Sequence, residues 1–157
     1  MARPVYIAVI GGSDISTELA DLARQVGYEV ARTGAVLLCG GLSGVMAAAA
    51  LGAQEAGGVS LGILPDGDRR GANPYLTYSI ATNLGHARNV LIAHSADAVI
   101  AVDGSYGTVS EAAIALKLGK PVIALKVAWN LPGVQRTATA AEAVALAWEK
   151  LNERQAM

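Results

Sequence analysis

The sequence predicts a single α/β domain of Rossmann-like, three-layer design: a mostly parallel sheet covered by helices on both faces. Short β-branched apolar runs alternate with helical-period segments along the chain, the pattern of strands joined by crossover helices. Three of those runs end in glycine-rich turns that precede a helix. The composition, 53% hydrophobic with 18 Gly and no Phe, supplies small side chains that let helices lie close against a sheet. At 157 residues the chain has the length of one domain, residues 1–157, with a single core.

Pro4 to Ile10 reads as a buried strand ending at the turn Gly11-Gly12-Ser13. Leu19, Leu22, Ala23, Val26 and Val30 then recur at helical spacing, with charged residues on the other face and Gly34 as the stop. The unit repeats: a strand Ala35 to Cys39, the turn Gly40-Gly41-Leu42-Ser43-Gly44, and an Ala-rich helix Val45 to Ala56 closed by Gly57-Gly58. Val59 to Leu64 supplies a third strand, and the polar stretch Pro65 to Tyr75 an exposed loop able to cover a site. Tyr78 to Thr82 reads as a short strand, and Asn83 is expected to cap a helix running through Arg88 toward Ser95. Ala98 to Val102 is the next strand, and Asp103 to Thr108 a loop before a helix ending near Leu118. Val122 to Leu125 follows, then an edge strand Gln135 to Ala138. Thr139-Ala140-Ala141-Glu142 has the spacing of a capping box for the last helix, whose tail from Asn152 to Met157 is expected to fray.

A net charge of −1 gives no global attraction to a nucleic-acid polymer, so phosphate recognition must be local. The lone Cys39 suits a reducing compartment and reads as a small buried residue. The chain runs from Met1 into an apolar strand without a leader, and every apolar run is broken well before the roughly 18 residues of a membrane helix. A cytoplasmic protein without membrane attachment is expected.

In open α/β sheets ligands gather beyond the carboxyl ends of strands, where all three glycine turns fall. Glycine bares backbone N–H groups to a phosphate, and a following helix adds a favourable dipole. The candidate ligand-binding residues are therefore Gly11, Gly12, Ser13, Gly40, Gly41, Ser43, Gly44, Gly104, Ser105, Tyr106, Gly107 and Thr108. The Gly-x-Gly-x-x-Gly dinucleotide fingerprint is absent, as is a Walker Gly-Lys-Ser/Thr ending. His86 and His94 lack metal spacing and read as ordinary helix residues, so no metal site is expected.

Several motifs together resemble one family. Gly11-Gly12-Ser13, Cys39-Gly40-Gly41-Leu42-Ser43-Gly44-Val45-Met46, Gly62-Ile63-Leu64-Pro65, His86-Ala87-Arg88-Asn89 and Asp103-Gly104-Ser105-Tyr106-Gly107-Thr108-Val109-Ser110-Glu111 are similar to the LOG-like (SLOG) superfamily. The likeness is to its short bacterial Rossmann-fold nucleotide-binding branch, a group often labelled lysine decarboxylase and similar to molybdenum cofactor carrier proteins. The resemblance implies a nucleotide monophosphate or the molybdenum cofactor as ligand, no cofactor needed for the fold, and a homodimer or higher homo-oligomer. It also implies, as the alternative activity, a nucleoside 5′-monophosphate phosphoribohydrolase in which Glu111 is the catalytic carboxylate and Arg88 its partner near base or ribose, with Asn89 beside it.

The family motif reads Pro-Gly-Gly-x-Gly-Thr-x-x-Glu after an Arg-Lys segment. Here Asp103 replaces Pro, Ser105 replaces the second Gly, and Asn89 replaces Lys. Asp103 adds a negative charge beside the phosphate loop, and Asn89 removes a positive one. Glu111 also fits a capping box with Thr108, and Arg88 a solvated helix charge. Arg69 and Arg70 are secondary anion-clamp candidates. No lysine belongs to a motif that would present a Schiff-base amine to the glycine loops, which argues against decarboxylation. The helix Val109 to Leu118, with Leu91, Ile92 and Ala93, suggests a self-association surface.

Overall fold

The computed structural model describes residues 2–157. Its centre is β1, Tyr6–Gly11, whose alternate residues bury in opposite directions: Ile7 and Val9 into one apolar layer, Ala8 and Ile10 into the other. A strand buried on both faces has no polar side, which is why its sequence runs apolar without alternation. The remaining strands are β2 (Val36–Cys39), β3 (Ser60–Leu64), β4 (Tyr78–Ala81), β5 (Ala98–Val102), β6 (Val122–Leu125) and the two-residue β7 (Gln135–Arg136). All pairings are parallel, in the order β4-β3-β2-β1-β5-β6-β7, so the sheet expected to be mostly parallel is wholly so.

One face carries α1 (Thr17–Arg32), α2 (Val45–Glu55) and α5 (Ala140–Gln155), through Ala23, Val26, Val30, Ala49, Ala53, Ala143 and Ala147. The other carries α3 (Arg88–Ser95) and α4 (Tyr106–Lys117), through Ile92, Ala93, Ala112 and Ala115. No helix is long and apolar enough to cross a membrane among the described residues.

Helix α1 begins where the Ser16 hydroxyl accepts from the Leu19 amide at 3.2 Å, and it ends at Gly34, whose φ of +86° a Cβ would strain. Its contact with α2 is unusually close. A Cβ on Gly27 would overlap the carbonyl of Ala49 and lie 2.8 Å from its Cα; one on Gly52 would overlap the Arg24 carbonyl and lie 2.8 Å from the Tyr28 nitrogen. Arg24 and Glu55 join the two helices by a bidentate ion pair on the outside.

Four expectations are corrected. Asn83 caps no helix: it adopts φ +54° in a turn and its amide donates to the Asp66 carbonyl at 2.9 Å, after which a 3-10 turn, Gly85–Ala87, leads into α3. The tail expected to fray from Asn152 is helical as far as Gln155, with Leu151 the last buried apolar residue of α5. The α5 cap forms as Thr139 accepts from Glu142, while the Glu142 carboxylate reaches the Ala138 amide, one residue beyond the cap. Of the residues assigned to a self-association surface, Ile92 and Ala93 lie in the core, whereas Leu91 stays exposed, as do Val90 and Leu84.

Candidate functional site

The chain leaves β1 toward β2 on one side and leaves β5 toward β6 on the other, so the loops after these adjacent central strands diverge and open a crevice between them. A cleft of about 450 Å³ lies there, within the range of small-molecule sites. Ile10, Gly11, Gly12 and Ser13 enter it from β1, and Gly40, Leu42 and Met46 from the β2–α2 connection. Pro65 closes it from β3. The turn before α3 brings Gly85 and His86, α3 itself Arg88 and Asn89, and the start of α4 Ser105, Gly107, Thr108 and Glu111.

Ten sequence candidates thus converge: Gly11, Gly12, Ser13, Gly40, Arg88, Asn89, Ser105, Gly107, Thr108 and Glu111. Gly41, Ser43, Gly44, Gly104 and Tyr106 are placed elsewhere than the lining, each for a structural reason. Gly44 turns into α2 at φ +69°, where a Cβ would lie 2.6 Å from Ser13 Cα, and the Val45 amide donates to the Gly12 carbonyl at 3.0 Å. The Ser43 hydroxyl donates to the Ser13 carbonyl at 3.3 Å, and the Gly41 carbonyl accepts from the Asn73 amide at 2.9 Å. Gly104, at φ +99°, leaves room for the Thr108 side chain beneath it. Tyr106 points into solvent, 92% exposed. Arg69 and Arg70 also lie outside the cleft, Arg70 paired with Asp68 at 2.7 Å on the surface.

Helix α4 starts at Tyr106, three residues before the expected Val109, so Gly107 and Thr108 belong to its first turn. Ser105 supplies no side-chain cap, and the amides of Gly107 and Thr108 make no backbone hydrogen bond among the described residues. The Ser13 amide is likewise without one. This start also removes the capping-box reading of Glu111, which lies in the second turn of the helix. Glu111 and Thr108 share one buried face and both line the cleft.

Burial pushes the Glu111 carboxyl up to about 7, the nearby Arg88 charge offsetting part of the shift. It is 8% exposed and takes part in no salt bridge among the described residues. Arg88 is equally buried, which overturns its reading as a solvated charge. Its Nε donates to the Ile63 carbonyl at 2.9 Å, its Nη2 to the Gly40 carbonyl at 3.4 Å, and its Nη1 to Asn89 Oδ1. A Cβ on Gly40 would sit 2.7 Å from Nη2, so glycine at the end of β2 is what admits the guanidinium. Beneath it, burial raises the Cys39 thiol to about 11, which keeps it protonated and inert at neutral pH.

Asp103 departs from the family motif in backbone as well as charge. It holds φ +53°, and its amide donates to the Leu125 carbonyl at 3.0 Å. Proline, fixed near −65° and lacking that N–H, cannot take this path. Asp103 is not among the residues lining the cleft, so its charge does not face the site as the motif alone suggests. Replacing it with glycine, which adopts positive φ freely, is expected to stabilise the fold by about 0.5 kcal/mol in urea denaturation.

Sequence reasoning missed Ile10, Leu42, Met46, Pro65, Gly85 and His86 as cleft residues. His86 is no ordinary helix residue, since it sits in the 3-10 turn at the rim. Pro65 had a usable signal: it is the first residue beyond a parallel strand's carboxyl end.

A family model for the SLOG cluster4 family matches residues 4–154. The chain belongs to the SLOG cluster4 family. It is 47% identical over 140 residues to an uncharacterized protein of Archaeoglobus fulgidus, covering 89% of this chain and 92% of the relative. Its structure is similar to that of the molybdenum cofactor binding protein from the phototrophic bacterium Rippkaea orientalis, with TM-score 0.90, 33% identity and coverage of 96% and 99% of the two chains. It is also similar to the molybdenum cofactor carrier protein of Chlamydomonas reinhardtii, with TM-score 0.82, 34% identity and the same coverage. This SLOG cluster4 chain therefore shares nearly its full length with structures of cofactor carriers.

Proposed function

We propose that this chain binds a phosphate-bearing cofactor in the switch-point cleft and carries it without turnover, with the molybdenum cofactor as cargo. The observation that carries the reading is that Ser13 after β1 and Gly107 and Thr108 in the first turn of α4, whose amides make no backbone hydrogen bond among the described residues, all line one cleft. Such amides suit phosphoryl oxygens, and the helix end adds a favourable field. Ile10, Leu42, Met46 and Pro65 supply an apolar wall against which a flat ring can lie. The likeness to the carriers supports a pterin over a purine there. No group of three His, Cys, Asp or Glu that could hold a metal occurs among the described residues.

Native mass spectrometry of the protein mixed anaerobically with the molybdenum cofactor, against AMP and GMP as competitors, tests this. The expected spectrum retains the pterin-bearing species and returns the nucleotides free. Retention of a nucleotide alone, or of neither, overturns the assignment of cargo.

One observation favours a second reading, cleavage of the N-glycosidic bond of a nucleoside 5′-monophosphate. Glu111 lies in the cleft with its carboxyl near neutrality, able to give or take a proton as oxocarbenium character develops. Chromatography of nucleoside monophosphates incubated with the protein decides it. Base release that falls about 100-fold or more in Glu111→Gln supports hydrolysis.

A further inference from the structure

The resemblance assigns Arg88 to the ligand, but three of its five guanidinium N–H donors already have protein partners. Its Nε and Nη2 go to the Ile63 and Gly40 carbonyls and its Nη1 to Asn89. A guanidinium has no acceptor, so the Asn89 atom facing it is the carbonyl oxygen, and this fixes which way the carboxamide lies. The Asn89 NH2 group then faces away from Arg88, toward the start of α4. A Cβ placed on Gly107 would lie 3.9 Å from Nδ2. Asn89 is 6% exposed, lines the cleft, and its Nδ2 has no acceptor among the described residues. The Nδ2 atom is not closed off from solvent, so it is an oriented donor at the cleft wall, free to meet an acceptor from outside the protein.

We infer that Asn89 contacts the ligand directly, its carboxamide completing an oxyanion subsite with the Gly107 and Thr108 amides, and that Arg88 is a positioning residue behind it. The inference rests on the proposed binding cleft and names the group bound there: a terminal phosphoryl-type oxyanion met by uncharged donors. Asn89 stands where the family motif carries lysine, so this chain replaces a mobile charge with a fixed neutral donor. Selection is then by the geometry of the acceptor oxygens more than by net charge.

Titration of 15N-labelled protein with inorganic phosphate, followed by heteronuclear NMR, tests the assignment. The Asn89 side-chain NH2 pair, identified by its loss in Asn89→Ala, is expected to shift on the same isotherm as the Gly107 and Thr108 amides. Asn89→Ala is expected to weaken phosphate binding at least fivefold. In Arg88→Met the Asn89 shift should vanish, and Arg88→Met/Asn89→Ala should bind no worse than Arg88→Met alone, a coupling that general loosening of the fold does not produce. Asn89→Ala leaves the ties of Arg88 to Ile63 and Gly40 in place, so this variant alone still tests the direct contact if Arg88→Met fails to fold. Movement of the Gly107 and Thr108 amides with a stationary Asn89 pair, and Asn89→Ala affinity within twofold of the parent, overturns this inference alone. Absence of any shift overturns the binding cleft itself and the inference with it.

Discussion

Gly52→Ala and Gly27→Ala are each expected to lower the stability of the fold by about 3 kcal/mol. Alanine in an exposed helix interior ordinarily gains about 1 kcal/mol over glycine, so the expected sign is the reverse of the helix-propensity rule. What reverses it is the contact between α1 and α2, where each added methyl meets main chain. At position 52 it overlaps the Arg24 carbonyl, and at position 27 the Ala49 carbonyl. A clash with a side chain can relax by a rotamer change, but these require one helix to move off the other. Overpacking of this kind typically costs about 1–3 kcal/mol and occasionally more. Urea unfolding of each variant reads the effect as a drop in midpoint at constant slope. A change within about 0.5 kcal/mol at both positions would show that the helices separate freely, against the close packing described.

Glu111→Gln is expected to stabilise the protein at pH 8 and to leave it nearly unchanged at about pH 4. The folded carboxyl titrates at about 7 and the unfolded one near its ordinary 4.5, so between those values the folded state holds a proton that the unfolded chain has released. The stability belonging to this group is full below about pH 4.5 and is lost as pH rises through 7. At about 1.4 kcal/mol per pKa unit, the loss is on the order of 3 kcal/mol by pH 8. Glutamine occupies the same volume and does not titrate, so its unfolding midpoint should exceed that of the parent above neutrality. Parallel pH profiles for the two proteins would mean that the Glu111 carboxyl is solvated. A residue that weakens the fold at working pH calls for a role in the cleft, and the hydrolysis reading gives it one.

The sheet was legible because a strand buried on both faces must be apolar throughout, as Ile7 to Ile10 and Ala98 to Val102 are. Its strand order was not, since nothing local tells β1 that its other neighbour lies some ninety residues on. Local capping signals misled twice. Asn83 has a cap residue's chemistry but spends its amide on Asp66, and Thr108 to Glu111 has capping-box spacing inside a helix begun earlier at Tyr106. Glycine turns located the cleft, yet several of their members support it from behind, because a glycine's lack of side chain serves crowding and ligand approach equally. Gly40 and Gly104 make room for Arg88 and Thr108, a distinction set by distant partners. His86, Met46 and Leu42 stand inside the family motifs but carry no chemistry that marks them as cleft residues, and only the folded arrangement gathers them.

The rim is laced together by bonds between segments far apart in the chain: Val45 to Gly12, Asn73 to Gly41, Arg88 to Gly40 and Ile63. These stitches join residues 25 to 48 positions apart, so the cradle is whole only when most of the chain is in place. A nascent chain or a truncated fragment that has made its first two strand–helix units would still lack the half that comes from α3 and α4. A ligand of the proposed kind would therefore find its full set of contacts only in the completed domain.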